Sequence, residues 1–262
     1  MMSVPDSDTL RTARTFAEEI AWEAGRVTLQ YFKQEFTVEH KADKSPVTEA
    51  DREAETVLRD RILSRYPNHA VLGEELGESG TAGSPFTWVL DPIDGTKSFV
   101  KGVPLYCVLI ALLHQQQPIL GVIHNPALDE TVSAATGLGC TFQGNPARVS
   151  TVHSLSEAWV MLTDPADMAR VQPDFGRRLY QTAGHVRTWA DAYGYLMVAT
   201  GRAEVMLDPV MNLWDIAPLK PVIEEAGGRF TDINGNDNAT GTSALATNAL
   251  VHDAVLALRS GG

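Results

Sequence analysis

The stretch of this 262-residue chain richest in reactive groups is Trp88-Val89-Leu90-Asp91-Pro92-Ile93-Asp94-Gly95-Thr96-Lys97-Ser98-Phe99, where an apolar run ends in two carboxylates, a glycine and a hydroxyl. Two ionised carboxylates a few residues apart across a sharp turn repel unless a cation lies between them. Asp91 and Asp94 form such a pair. Asp94 or Gly95 falls where a helix N-cap is expected, so the N–H groups of Gly95, Thr96 and Lys97 would face an anion. A plainer explanation also fits the pair alone, with Asp91 ending a strand and Asp94 capping a helix. Two further stretches favour the cation. Leu72-Gly73-Glu74-Glu75 follows a short apolar run, and Leu213-Trp214-Asp215-Ile216-Ala217-Pro218 opens a later helix with an acid. Acids at three strand-to-loop or helix-start sites suit hard divalent cations, which take oxygen ligands.

Taken in order, the three blocks resemble those of the inositol monophosphatase family of metal-dependent, lithium-sensitive phosphomonoesterases, which shares its fold with fructose 1,6-bisphosphatase. The resemblance runs from about Thr9 to the C-terminus. Inositol monophosphatases usually continue Thr-Asn-Phe after the glycine, and phosphoadenosine-type nucleotidases carry Leu and Glu where this chain has Ile93 and Ser98. Gly95-Thr96-Lys97-Ser98-Phe99, the following Gly102-Val103-Pro104, and Arg187-Thr188-Trp189-Ala190-Asp191-Ala192-Tyr193-Gly194-Tyr195 are similar to the histidinol-phosphate phosphatase branch. The resemblance implies an α/β fold with α+β layering, an αβαβα sandwich. Residues 1–145 would form an N-terminal α+β half carrying most metal ligands, and residues 146–262 a C-terminal α/β half carrying Asp215 and the specificity residues.

Carried over position by position, the resemblance implies that Glu74, Asp91 and the Ile93 carbonyl hold a first ion, and Asp91, Asp94 and Asp215 a second. Glu74, with waters, would hold a third. The implied metal is Mg²⁺, two or three ions per site, with Mn²⁺ as a substitute. Gly95 and Thr96 would give backbone N–H groups to the phosphate. Val47-Thr48-Glu49-Ala50-Asp51 matches the family block whose acid pairs with the threonine, so Asp51 would orient the Thr96 hydroxyl; a capping box of Thr48 and Asp51 explains both residues equally well. Glu74, Thr96 and Asp51 are thus the implied catalytic groups. Asp94, Asp191, Asp208 and Asp215 are the implied substrate contacts, with Asp208 where inositol monophosphatases meet a sugar hydroxyl and Asp191 placed to meet an ammonium. Trp189, Tyr193 and Tyr195 are candidates for an imidazole cradle, and equally for core. Lys97 reads as a solvated or backbone-bonding side chain.

The implied reaction is hydrolysis of L-histidinol phosphate by direct attack of a metal-activated water, a step of histidine biosynthesis. The sequence offers no Ser-His or Cys-His pair that would suggest a covalent route. Inositol-1-monophosphatase, or a broad-specificity sugar or nucleotide phosphatase, is the alternative. From a different class, a catalytically silent metal- or phosphate-binding regulator would usually have lost a ligand, and here every expected acid is present.

A net charge of −12 excludes a basic nucleic-acid surface. It does not exclude a phosphorylated metabolite, because bound Mg²⁺ would dominate the local field. Cys107 and Cys140 lie in apolar or glycine-rich settings and read as core thiols rather than a disulfide or metal pair. Residues 1–9 are unlike a signal peptide, and the longest apolar run, 106–113, is far short of a membrane span. The expectation is a cytoplasmic protein, a homodimer by analogy with the family, with no membrane or nucleic-acid polymer as partner.

Leu10, Ala13, Ala17, Ile20, Ala24 and Val27 recur at helical spacing and predict an amphipathic helix over 9–32. A polar loop over 33–46 follows, and in the family this loop closes near the metals. Thr48 then opens a second helix. Strands are expected over 70–73, 88–90, 106–113, 118–124 and 130–135, with 76–85 a surface loop and 115–117 a hairpin turn. Pro92, lacking an N–H, should stop its strand. This meander predicts an antiparallel sheet covered on one face. Beyond a boundary near 145–156, strands over 158–162, 186–189, 203–207, 229–233 and 244–247 alternate with helices over 168–182, 191–200, 214–226 and 249–259, an α/β pattern. His114, His124, His153 and His185 read as structural or surface residues.

Overall fold

The computed structural model describes residues 5–35, 38–40, 46–189, 191–237 and 240–260, with backbone only for Val38, His40, Pro46, Val47 and Ser260. The chain begins with helix α1 (Ser7–Tyr31), a ribbon of β1 (Val38–His40) and β2 (Pro46–Thr48), and helix α2 (Glu49–Arg65). Next come β3 (Ala70–Gly73), β4 (Gly77–Gly80), β5 (Phe86–Asp94), the short α3 (Thr96–Val100), and a meander of β6 (Cys107–His114), β7 (Gln117–Asn125), β8 (Glu130–Ala135), β9 (Gly139–Phe142) and β10 (Asn145–Pro146). The remainder is β11 (Trp159–Leu162), α4 (Pro165–Val171), α5 (Pro173–Thr182), β12 (His185–Arg187), α6 (Ala192–Ala199), β13 (Val205–Asp208), α7 (Leu213–Ile216), α8 (Leu219–Glu225), β14 (Arg229–Thr231), β15 (Ala244–Thr247) and α9 (His252–Ser260).

Helix α1 starts where the Asp6 carboxylate accepts the amides of Asp8 and Thr9, at 3.0 and 2.9 Å, satisfying two of the free donors of its first turn. Its apolar stripe and that of α2 pack with one face of an eight-stranded sheet of order β10-β9-β8-β7-β6-β5-β3-β4. That sheet is antiparallel except where β3 runs parallel to β5. The other face of the sheet, with Leu109, Ile123 and Val132, packs on α6 and α8. These helices in turn meet Met161, Met206, Phe230 and Ala246 from a five-stranded sheet of order β12-β11-β13-β15-β14. Val160, Leu162, Val205, Leu207 and Leu245 point to its far face, against Met168 of α4, Phe175 and Leu179 of α5 and Val255 of α9. The five layers α, β, α, β, α arise from this period-two alternation, which gives each strand two apolar faces to bury. The expected fold class holds.

Local differences from the sequence reading have specific causes. Strand β5 does not stop at Pro92 but runs on to Asp94, because a register shift between Asp91 and Asp94 removes the need for a proline N–H in the ladder. Residues 77–80, expected in a surface loop, form β4 against β3, with Gly77 at φ 66° turning the chain. The helix expected over 168–182 is two, since Gln172 precedes Pro173 and leaves the helical region, at φ −140° and ψ 60°. The helix expected over 214–226 divides at Ala217-Pro218 into α7 and α8, for the proline supplies no N–H to the ladder. The loop expected over 33–46 contributes the β1–β2 ribbon, while residues 36–37 and 41–45 lie outside the described residues. Gln115 and Gln116, both at positive φ, make the expected hairpin turn. Cys107 and Cys140 are free and buried. No helix among the described residues is long and apolar enough to cross a membrane.

At the α7–α8 junction the central helical layer meets the large sheet without an intervening side chain. Gly121 of β7 lies directly under the Pro218 carbonyl, so a Cβ there would overlap backbone. Gly121→Ala is expected to destabilise the protein by about 1–3 kcal/mol through overpacking, read as a lowered Tm. It should also displace the helix carrying Asp215, weakening divalent-cation binding in the folded variant.

Candidate active site

The site is assembled around the bulge of β5. Asp91 faces Leu109 and Asp94 faces Cys107, so β5 carries one more residue than β6 between these pairs. The Ile93 amide donates to Asp91 Oδ1 at 3.0 Å, closing the turn on the acid itself. Gly95, at φ 86° and ψ 38°, then swings the chain into α3, a conformation that a side chain would strain. A Cβ at Gly95 would also stand 2.6 Å from Asp191 Oδ2.

The other acids arrive from separate elements. Asp215 sits in the first turn of α7, and its Oδ2 accepts the Asn212 amide at 2.7 Å in a capping box. Asp94 Oδ2 accepts the Ala192 amide from the start of α6 at 2.6 Å. One carboxylate oxygen each from Asp91, Asp94 and Asp215 lie within 4.8 Å of one another, a group able to hold a metal ion. Glu74 follows β3, where its amide donates to the Leu90 carbonyl at 3.2 Å and extends the parallel register beside Asp91. Its charge acts on Asp51, Asp91 and Asp215 alike.

Asp51 is buried in the first turn of α2, and its Oδ2 accepts both the amide and the hydroxyl of Thr48. The Thr96 hydroxyl donates to the Ile93 carbonyl at 3.1 Å rather than to Asp51. The expected direct pairing of Asp51 with Thr96 is therefore corrected: the cap takes up the Asp51 oxygen, and the turn takes up the Thr96 proton.

Beside this acidic cluster lies a small cavity of about 80 Å³ whose wall includes Asp94, Asp164, Asp167, Asp191, Asp208 and Asp215. Asp208 Oδ1 accepts the Thr163 amide and its Oδ2 the Tyr195 hydroxyl, each at 3.0 Å. The aromatic cradle is not formed. Tyr195 is buried and lines the cavity beneath Asp208, whereas Tyr193 turns away to Arg202. Trp189 stacks on Trp159 with ring centroids 5.7 Å apart, and Arg187 lies over both. His124 is held at 2.8 Å by the Thr131 hydroxyl, a structural role. Sequence reading missed Asp164, Asp167 and the Ala192 amide. Asp164-Pro165 at a strand end carried a legible capping signal, but nothing local linked it to Asp94.

The electrostatics are one-sided. Burial, then Glu74, Asp94 and Asp215, holds Asp91 well above the usual carboxylate range. Burial, then Asp191 and Asp215, does the same to Asp94. Burial raises Asp215 to about 7 against the opposing Asn212 amide, and Asp51 and Asp208 to about 6. Asp191 is also raised by burial to about 6, with Lys97 pulling it down. Clustered oxygen donors lacking countercharge are what a hard divalent cation satisfies, so the residues fit such an ion. A raised folded-state pKa adds stability that is complete below the unfolded value and is lost as pH rises through the folded value. Stripped of divalent ions, the protein is expected to lose stability from 3.8 upward through about 7. Added Mg²⁺ should raise Tm increasingly across the same window, as thermal melts with and without chelator would record. A Mg²⁺ increment that stays flat with pH would contradict a cation held by these acids.

Known proteins give the same reading. The profile of the inositol monophosphatase family matches residues 9–260. A histidinol-phosphatase from Chlorobaculum parvum is 39% identical over 259 residues, covering 94% of this chain and 96% of that protein. Another histidinol-phosphatase, from Mycobacterium tuberculosis, is 40% identical over 236 residues, covering 86% and 88%. A solved IMPase structure from Thermotoga maritima superposes with a TM-score of 0.86 at 31% identity, covering 94% of this chain and 96% of that one. With a matching profile along nearly its whole length and the acids gathered as described, the chain belongs to the inositol monophosphatase family and is a metal-dependent phosphoric monoester hydrolase.

Proposed function

We propose that this enzyme hydrolyses L-histidinol phosphate to L-histidinol and inorganic phosphate with Mg²⁺ as its metal. The carrying observation is the sign of the cavity beside the metal cluster. Asp164, Asp191 and Asp208 add to its wall beyond the candidate ligands, and no Lys or Arg lines it among the described residues. An amino alcohol brings an ammonium that compensates this charge, and a neutral polyol brings none. The two histidinol-phosphatases similar along most of the chain support the same substrate. Inositol 1-phosphate is the second reading, favoured by the likeness to an IMPase. Against it, both oxygens of Asp208 already accept hydrogen bonds from the protein, which suits a wall residue better than a partner for a sugar hydroxyl.

In this proposal Glu74, Asp91 and the Ile93 carbonyl hold one ion, and Asp91, Asp94 and Asp215 another, with Glu74 contributing to a third. The Ile93 carbonyl retains a lone pair beyond the one used by Thr96. When bound, Mg²⁺ supplies Lewis-acid polarisation of the phosphate and lowers the pKa of water, with Mn²⁺ as a substitute and Li⁺ as inhibitor. The amides of Gly95 and Thr96 orient the phosphate. Because the Thr96 proton is committed to Ile93, its oxygen is left to accept a hydrogen bond from the attacking water. Water oxygen bonds to phosphorus and the ester P–O bond breaks; one of the water's protons leaves with the phosphate and the other ends on the leaving alkoxide, giving the free alcohol. Asp51, clamped by Thr48, supports the site as a fixed negative charge, and Asp191 receives the substrate ammonium. Residues 1–145 supply most of the ligands and residues 146–262 the cavity wall. A homodimeric, cytoplasmic enzyme acting on a free metabolite completes the reading.

Phosphate release from L-histidinol phosphate, inositol 1-phosphate and an adenosine 3′-phosphate, each with Mg²⁺, tests it. The first should show a kcat/KM at least about tenfold above the others, the discrimination of one charge-assisted hydrogen bond. Equal slow turnover of all three would defeat the substrate and leave the phosphatase standing. Asp94→Asn is expected to lower kcat by about a thousandfold, the equivalent of roughly 4 kcal/mol. Asp191→Asn should raise KM for L-histidinol phosphate by about 10–100-fold while leaving inositol 1-phosphate hydrolysis nearly unchanged.

A further inference from the structure

Helix α2 carries Asp51, Glu55 and Arg59 at successive four-residue steps, so one buried stripe of a helix holds three ionisable groups. Asp51 belongs to the site. Glu55 and Arg59 do not reach it, yet both are buried, and burying an ion pair is seldom justified by stability alone. What they touch is the turn after Gly73. Glu55 Oε2 accepts the Glu75 amide at 2.7 Å and Oε1 the Leu76 amide at 3.1 Å. Arg59 Nε donates back to Glu55 Oε1 at 2.7 Å, while its two Nη groups donate to the Ser79 hydroxyl and the Gly77 carbonyl. The pair thus spans the β3–β4 hairpin, gripping the amides that leave β3 and, in β4, the Gly77 carbonyl and the Ser79 hydroxyl. Gly73 rests directly against the Glu55 carboxylate, where a Cβ would overlap it.

Glu74 lies inside this grip. Its own amide is tied to Leu90 of β5, and the next two amides are tied to Glu55. We propose that Glu55 and Arg59 are positioning residues, which fix the backbone of Glu74 so that its carboxylate is presented to the divalent cation beside Asp91. Without them, repulsion from Asp51, Asp91 and Asp215 would act on a Glu74 whose following turn had lost its two amide anchors on Glu55. The inference rests on Glu74 being a metal ligand.

The test separates position from folding. Glu55→Gln, Arg59→Met and the paired Glu55→Leu/Arg59→Met enzyme are compared with wild type and Glu74→Gln by titration calorimetry with Mg²⁺, at a temperature where each is folded. The Mg²⁺ dependence of phosphate release and Tm are recorded alongside. Glu55→Gln should weaken Mg²⁺ binding by about 10–100-fold, the usual effect of losing a group that orients a ligand. Substrate KM at saturating Mg²⁺ should change far less. The paired variant has no unpartnered buried charge, so its Tm should recover toward wild type while its Mg²⁺ affinity stays low. It also keeps the test open if either single variant fails to fold. If the paired variant binds Mg²⁺ within about twofold of wild type while Glu74→Gln does not, the positioning role is overturned and the ligand role of Glu74 stands. If Glu74→Gln itself binds Mg²⁺ as wild type does, both are overturned.

Discussion

Like charges must be held together here before any cation arrives, and much of the molecule's local structure answers that repulsion. Asp51, Asp91, Asp94 and Asp215 each accept a backbone amide, from Thr48, Ile93, Ala192 and Asn212 respectively. Four different segments therefore supply one donor apiece. An amide dipole both fixes the carboxylate's direction and offsets part of its charge, and it cannot move away as a long basic side chain could. Asp91, Asp94 and Asp215 each keep an oxygen free of these amide bonds to turn toward a common point.

Such a cluster needs rigid neighbours on every side. The eight-stranded sheet supplies the bulge of β5 and the end of β3, and the central helical layer supplies the starts of α6 and α7. Gly121 brings the α7–α8 junction down onto β7, which sets how far Asp215 stands from β5. The packing of Leu109, Ile123, Met206 and Phe230 around α6 and α8 is what stops these layers sliding. Repulsion at the site is thus opposed by apolar burial elsewhere in the fold.

Much of this could be read from the residue string, and the limits were physical. The strong periods of α1, β6 and β7 announced themselves because each buries a full stripe or face. The acids at 74, 91, 94 and 215 were legible through their blocks, and three of them, Asp91, Asp94 and Asp215, lie together in space. Pro92 misled because a bulge is a property of two strands, and its partner lies at Leu109 and Cys107. Asp164 and the Ala192 amide were hidden for a similar reason: the amide meets Asp94, and Asp164 comes to line the same cavity, only through the stacking of layers. Glu55 and Arg59 carry no local signal of their role, since their spacing is that of any i,i+4 pair and nothing in their own helix shows that a hairpin lies over them. The Asp51–Thr96 pairing failed on a competition for one proton, which Ile93 wins through proximity in the turn.

The bond from the Ala192 amide to Asp94 joins residues 98 positions apart. A ribosome that has made the first sheet has released Asp91 and Asp94, but neither this amide nor Asp215. The growing polypeptide thus carries mutually repelling acids while the group of Asp91, Asp94 and Asp215 is still incomplete, and that group can close only once Asp215 has been made. A product cut short before Ala192 and Asp215 would inherit the charge of Asp91 and Asp94 without the amide and the acid that complete their group.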